Sequence, residues 1–169
     1  MKYQETLSFN HPVIWVLLVP LAVFMAYGTV QQLVLGQAFG SNPAPDFLLV
    51  IFMLIPLLLL LLFAGARLRY RIDDSGIQYR FFPFHRKAHK LGWNEIDEIY
   101  VRKYKAILEF GGWGLRTNFG NKQAYNVMGD KGMGLEVLLK DKKKILFSTR
   151  KPKQLRAFLD ELSSKGIPI

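Results

Sequence analysis

Two long stretches of the chain carry no charged side chain, and the residues after the second stretch alternate in polarity. Between Pro12 and Pro45 there is no Lys, Arg, Asp or Glu, and the apolar run inside this stretch extends from about Val13 to Leu35. The second stretch, Phe47–Ala66, includes unbroken leucine from Leu57 to Leu62. At about 1.5 Å of rise per residue, some twenty helical residues cover about 30 Å, the thickness of a bilayer's hydrocarbon core. The pattern predicts two transmembrane helices, at about residues 13–35 and 47–66, which form an N-terminal hairpin and make residues 1–66 a membrane anchor. Pro20 and Pro56 fall inside the two runs, where membrane helices tolerate proline as a kink.

Past the second run the period changes. Arg67-Leu68-Arg69-Tyr70-Arg71-Ile72 alternates charged with apolar residues, the period-two signature of a strand with one wet and one buried face. Asp73-Asp74-Ser75-Gly76 is a turn cluster, and Ile77–Phe82 reads as the returning strand, ended by Pro83. A short strand is expected at His89–Trp93, and a single helical turn at Trp93–Ile96 capped by Asn94. Glu98–Lys103 and Ala106–Phe110 read as extended, and Gly111–Lys122 as a long Gly-rich connection. Lys122–Val127, Gly134–Lys140 and Lys144–Thr149 complete the strands, the last two joined through Asp141-Lys142-Lys143. Pro152 opens a helix at a position where its missing N–H costs nothing. Leu155, Phe158, Leu159 and Leu162 give that helix one apolar stripe, and Gly166 ends it. The fold class is α+β: a two-helix hairpin, then an antiparallel barrel or sandwich of about seven strands over residues 67–169, capped by a C-terminal helix.

Charge sharpens this division. Of 23 Lys and Arg only Lys2 precedes Arg67, which leaves 22; of 13 acidic residues only Glu5 and Asp46 do, which leaves 11. Residues 67–169 therefore carry a net charge of +11, a property suited to anionic lipid headgroups, nucleic acid or acidic proteins. The connector Gly36–Asp46 has no cation, whereas Arg67, Arg69 and Arg71 come directly after the second run. By the positive-inside rule the connector is outside, while the N-terminus and the C-terminal domain are cytoplasmic. This describes a multi-pass protein of the cell (inner) membrane. The competing reading of the first run is a signal peptide with a weak cleavage site at Ala26-Tyr27-Gly28; Lys2 with Glu5 makes a poor n-region for it. No cysteine is present, so disulfides and thiolate chemistry are excluded.

Seven strands followed by a helix is the pleckstrin-homology arrangement. Trp93-x-x-Ile96-x-x-Ile99, the Gly-Gly-Trp-Gly-x-Arg run at 111–116, and Ala124-Tyr125-Asn126-Val127 leading to the Lys131-Gly132 turn carry the likeness. Over about residues 64–164 the chain resembles bacterial membrane proteins with a pleckstrin-homology-like domain after one or two spans. The resemblance implies the fold but is nearly silent about activity, since members of the family are mostly without an assigned biochemical role, and it implies no particular ligand.

Candidate chemistry is sparse. Arg67, Arg69 and Arg71 share one strand face and are placed to meet phosphates. Arg116 and Lys122 flank the glycines at 111–114, whose backbone N–H groups can turn toward an anion; Trp113 and Phe119 are candidates to touch a membrane interface. Lys142, Lys143 and Lys144 form a basic hairpin turn in which each lysine near an anionic leaflet adds about 1 kcal/mol. These eight cations are the expected lipid or anion contacts. His85 and His89 have i, i+4 spacing, yet in extended chain they would lie about 13 Å apart, which argues for two solvated side chains. No nucleophile–base–orienter set can be assembled, and no metal or cofactor is expected. The expected function is a membrane-anchored, non-enzymatic module that organises a membrane complex through an unknown membrane or cytoplasmic protein and through anionic lipid. The alternative is an enzyme or transport component with a site between spans and domain. Tyr79, Phe81, Tyr100 and Tyr104 are interleaved with cations as in nucleic-acid stacking platforms, but a half-buried strand in a basic domain has the same pattern, and nucleic acid is not the expected partner.

Overall fold

A computed structural model describes residues 1–9, 11–117 and 121–165. They form two compact units, Asn10–Gly65 and Met1–Phe9 with Ala66–Ile169.

The first unit is a helical hairpin. Helix α1 spans Pro12–Leu33 and helix α2 spans Asp46–Gly65. Both are long and apolar enough to cross a membrane, and only 22% and 11% of their most apolar windows is buried. A core helix of a soluble domain would hide such residues; here Val16, Leu17, Leu58 and Leu61 stand exposed. α1 begins with Pro12 at its first position, and His11 Nδ1 accepts from the Val13 N–H at 3.4 Å. The hairpin is fixed by a few polar and aromatic contacts. Gln32 Nε2 donates to Ala44 O at 2.8 Å and to Asp46 Oδ1 at 2.7 Å, while its Oε1 accepts from Phe39 N at 3.3 Å. Phe39 folds back over Gly28, where a Cβ would come within 2.6 Å of its ring.

The second unit is β-rich. Strand β1 (Lys2–Ser8) pairs antiparallel with β2 (Arg67–Asp73), which pairs with β3 (Gly76–Phe82), which pairs with β4 (His89–Leu91). A single 3-10 turn, Trp93–Glu95, leads to β5 (Ile96–Lys103), helix α3 (Ala106–Phe110), β6 (Gly114–Thr117), β7 (Lys122–Asn126), β8 (Met133–Leu139), β9 (Lys144–Ser148) and helix α4 (Pro152–Ser164). The second sheet has the order β5-β8-β9-β7-β6. Leu68, Ile72, Ile77 and Phe81 from the first sheet and Leu135, Val137 and Phe147 from the second are fully buried. Leu155, Leu159 and Leu162 bury the predicted stripe of α4.

Several expectations are corrected. β1, assigned with the anchor, belongs to the β-rich unit. Its inner residues are Tyr3, Glu5 and Leu7, and a carboxylate on the buried face disguises the alternation. Ala106–Phe110 is helical rather than extended: the Glu109 carboxylate accepts from Lys105 N at 2.8 Å, and Gly111 closes the turn at φ 70°. Gly114–Thr117, read as part of a connection, is a strand on β7. The 3-10 turn is capped at Gly92, whose N–H donates to Glu95 at 2.9 Å, not at Asn94. Among the described residues nine strands are present in two separate sheets, and β7 runs parallel to β9, so the second sheet is mixed rather than antiparallel. Phe119 and Gly166 lie outside the described residues.

Candidate functional site

The outer face of the first sheet is a grid of hydrogen-bond donors. The period-two rule predicts that Arg67, Arg69 and Arg71 project together, and all three are exposed while Leu68, Tyr70 and Ile72 are buried. Strand pairing then sets their neighbours. One row across the sheet reads Gln4, Arg71, Gln78, Lys90; the next reads Thr6, Arg69, Arg80; the third reads Ser8, Arg67, Phe82. A shallow groove on this face is lined by Gln4, Arg69, Arg71, Gln78 and Arg80 among others. Residues directly opposite have Cβ atoms about 4.5–5.5 Å apart, and like charges so placed are destabilising. Arg69 and Arg80 are such a pair.

Carboxylates do little to relieve this. On the outer face of these strands, among the described residues, the one carboxylate is Asp73 at the far end. It accepts from the Ser75 hydroxyl at 2.7 Å and from Arg71 Nε at 2.9 Å. The Ser75 bond, with help from Arg71, holds its carboxyl below the usual range. Arg80 Nε donates to His85 O at 3.2 Å, and its guanidinium lies 5.9 Å from the centre of the Phe82 ring.

The other expected cations are divided between two ends of this unit. Arg116 curls back toward the start of β6, with Nε donating to Trp113 O at 3.1 Å. Lys122 lies opposite Lys144 at the other end of the second sheet, next to the turn that holds Lys142 and Lys143. Lys143 pairs with Asp141 at 2.8 Å, and Lys144 Nζ lies 3.9 Å from Glu136. The eight cations therefore do not make one patch. Arg67, Arg69 and Arg71 do share a face, and Gln4, Thr6, Gln78, Arg80 and Lys90 join them; the missed signal was the alternation of β1.

Behind the grid, the buried Glu5 ties both ends of the chain together. Its Oε2 accepts from the hydroxyls of Tyr3 at 2.8 Å, Tyr70 at 2.7 Å and Thr149 at 2.7 Å, and its Oε1 from Arg150 N at 2.8 Å. Burial, reinforced by the carboxylate, pushes both tyrosine hydroxyls well above their ordinary pKa. Glu136 is likewise buried and satisfied, by Arg102 and by the Tyr100 hydroxyl at 2.9 Å. Asp130 meets the Tyr104 hydroxyl and accepts from Gly132 N at 2.9 Å. Each carboxylate is saturated by structural donors.

The histidines differ from the extended-chain expectation. The β3–β4 connection folds so that the rings of His85 and His89 lie 4.4 Å apart between centroids, against Tyr79. Burial and the neighbouring His89 lower the pKa of His85. Among the described residues, no three of His, Cys, Asp and Glu converge on a point that could hold a metal ion.

No protein-family model matches the chain, and no curated protein matches it in sequence.

Proposed function

We propose that the chain is a multi-pass membrane protein whose β-rich unit is a cytoplasmic, pleckstrin-homology-like, non-enzymatic module that binds phosphate-bearing lipid headgroups on its arginine grid and presents a scaffold to protein partners. The observation that carries the binding assignment is the Arg69–Arg80 pair, which faces no carboxylate across the strands and is flanked by Arg67, Lys90 and Arg71, the last of them paired with Asp73. Such an arrangement costs stability in the empty protein and is offset when an anion sits between the guanidinium groups.

The two-span topology draws support from β1. Lys2–Ser8 and Arg67–Asp73 pair in one sheet of one unit, which supports a reading with both on one side of a membrane and the intervening helices leaving and returning. Cleavage after α1 would also remove a strand from the sheet, which argues against a signal peptide. The cation-free connector and the clustered arginines after α2 support a cytoplasmic folded body under the positive-inside rule.

Tags at Ser41 and at the C-terminus should report opposite sides, and a Ser41 tag reached only from the cytoplasm overturns the topology. For the binding assignment, the full-length protein is reconstituted in vesicles with and without phosphatidylglycerol. Hydrogen exchange across β2 and β3 should slow when the anionic lipid is present. In the Arg69→Gln/Arg80→Gln double variant that slowing should be lost. Equal slowing in both proteins removes the grid from lipid binding.

A further inference from the structure

The β-rich unit is polarised in a second way, which the charge pattern does not disclose. Its exposed large apolar side chains, among the described residues, are Met1, Phe82, Phe84, Ile107 and Leu108. Met1 sits beside Asp74 at one end of the first sheet. The other four gather at the opposite end. Phe82 is the last residue of β3 and lies in the same row as Arg67 and Ser8. Phe84 stacks on Phe81 at 5.5 Å, and Phe81 lies 6.2 Å from the ring of Phe9. A Cβ on Gly114 would lie 3.9 Å from the same Phe9 ring. Gly114 follows α3 through Gly111, Gly112 and Trp113, a short connection that keeps the exposed Ile107 and Leu108 of α3 at this end of the unit.

This is the end from which both connections to the helices depart. Three residues separate β1 from α1, and Ala66 alone separates α2 from β2. Arg67 lies opposite Phe82, Lys105 immediately precedes α3, and Arg116 reaches back to Trp113 O; all three are exposed. Leu108 is 77% exposed and Ile107 62%; apolar side chains of this size gain from leaving water, so two of them on a five-residue helix are costly to leave there. Apolar side chains ringed by cations match the boundary between acyl chains and anionic headgroups.

We infer that α3 and the Phe82–Phe84 turn form a two-pronged wedge that enters the membrane interface, seating the β-rich unit on the leaflet where its own helices end. The occupant of this surface is lipid, not a second copy of the chain. The inference rests on the proposed membrane anchoring but not on headgroup preference, because apolar insertion needs no anionic lipid.

The absence of cysteine gives a direct test. Single Leu108→Cys, Phe84→Cys and Lys142→Cys variants of the full-length protein are labelled with an environment-sensitive fluorophore and reconstituted in purely zwitterionic vesicles. Flotation with the vesicles establishes anchoring first; a chain that fails to float overturns the anchoring and the wedge together. In a chain that floats, the probes at 108 and 84 should emit to the blue of the probe at 142. They should also lose emission to lipids carrying a nitroxide near the headgroup, about 5–10 Å deep, while the probe at 142 keeps its emission. Probes at 108 and 84 that behave like that at 142 overturn the wedge even if the arginine grid binds anionic lipid. A blue shift without quenching by nitroxide lipid also overturns it, because the prongs are then covered by protein. A Leu108→Asp variant, carrying the probe at 84, should show reduced quenching while segment-resolved hydrogen exchange of β8 and β9 stays unchanged. Unaltered quenching there overturns the cooperation of the two prongs.

Discussion

In the helical hairpin the large apolar side chains face outward, and a handful of polar contacts sets the geometry: Gln32 to Ala44 and Asp46, and Phe39 over Gly28. In the β-rich unit the apolar side chains face inward, and polar groups are buried with them only when saturated, as Glu5 is by four donors. The two regions are hydrophobic in different senses. Outward apolar surface requires a solvent that is itself apolar, so that shape is left to small residues and hydrogen bonds. Inward apolar surface supplies its own driving force through burial. The same kind of substitution should therefore have very unequal consequences in the two regions.

The largest contrast is a truncation. Phe147 is fully buried and packs on Tyr70, Tyr79 and Tyr125. Phe147→Ala should cost the β-rich unit about 3–5 kcal/mol. Leu61, 70% exposed on α2, should tolerate Ala with little change. Segment-resolved hydrogen exchange of the reconstituted protein reads each region separately. Comparable losses from the two truncations would show that α2 packs its outer face against protein.

Next comes the buried carboxylate. Glu5→Ala leaves the hydroxyls of Tyr3, Tyr70 and Thr149 without their acceptor; each buried orphan costs about 1–3 kcal/mol, and a total of about 3 kcal/mol is expected, read as faster exchange of β2 and β9. The same network has a pH signature. Tyr3 and Tyr70 have pKa values raised by burial, so above about pH 10, the ordinary tyrosine value, the unfolded chain releases these protons before the folded one does. Stability is complete below that pH and falls as pH rises toward the folded values. Tyr3→Phe should flatten the alkaline decline in β-sheet circular dichroism, and an unchanged decline would place the titration elsewhere. The hairpin helices, which hold no such network, should stay unaffected over this range.

How much of this was legible from residues alone follows the same division. The hairpin could be read because an uncharged run of twenty residues has few other uses. β2, β3, β8, β9 and α4 were also legible from period and turn chemistry. β1 was not, because Glu5 sits where the alternation calls for an apolar residue, and its donors come from residues 70, 149 and 150, far away in sequence. The five-residue run at Ala106–Phe110 was too short for periodicity to distinguish helix from strand; a cap at Gly111 and a local bond from Lys105 decided it. Of the candidate site, the arginines of β2 were visible in advance. Arg80 became a partner only once register placed it opposite Arg69, and Gln4 only once β1 existed.

A smaller effect tests what shapes the hairpin. Gly28→Val places a side chain where the Phe39 ring now lies. Overpacking of this kind costs about 1–3 kcal/mol, and the connector around Phe39 should become more open to protease. Exchange in β8 and β9 should not change. If they loosen as well, the two regions are not independent in folding.

The smallest effect is also the most informative about function, because it is expected to carry the opposite sign. Arg69 and Arg80 face each other across β2 and β3 with no carboxylate between them. Removing one charge relieves a like-charge pair, a gain of about 0.2–1 kcal/mol. Arg80→Gln keeps a polar side chain of similar reach, so in zwitterionic vesicles at low salt β2 and β3 should exchange more slowly than in the unaltered protein. Adding anionic lipid should reverse the order. An anion bound by the folded grid and not by the unfolded chain stabilises in proportion to its occupancy, and Arg80→Gln forfeits part of that gain. Salt should shrink both differences, since exposed charges are screened beyond about 10 Å at 0.1 M ionic strength. The decisive observation is therefore a crossing of stabilities between the two lipid conditions. If Arg80→Gln destabilises the sheet in both, the guanidinium is held for its bond to His85 O and its stacking on Phe82, and the grid is part of the architecture rather than a site for phosphate.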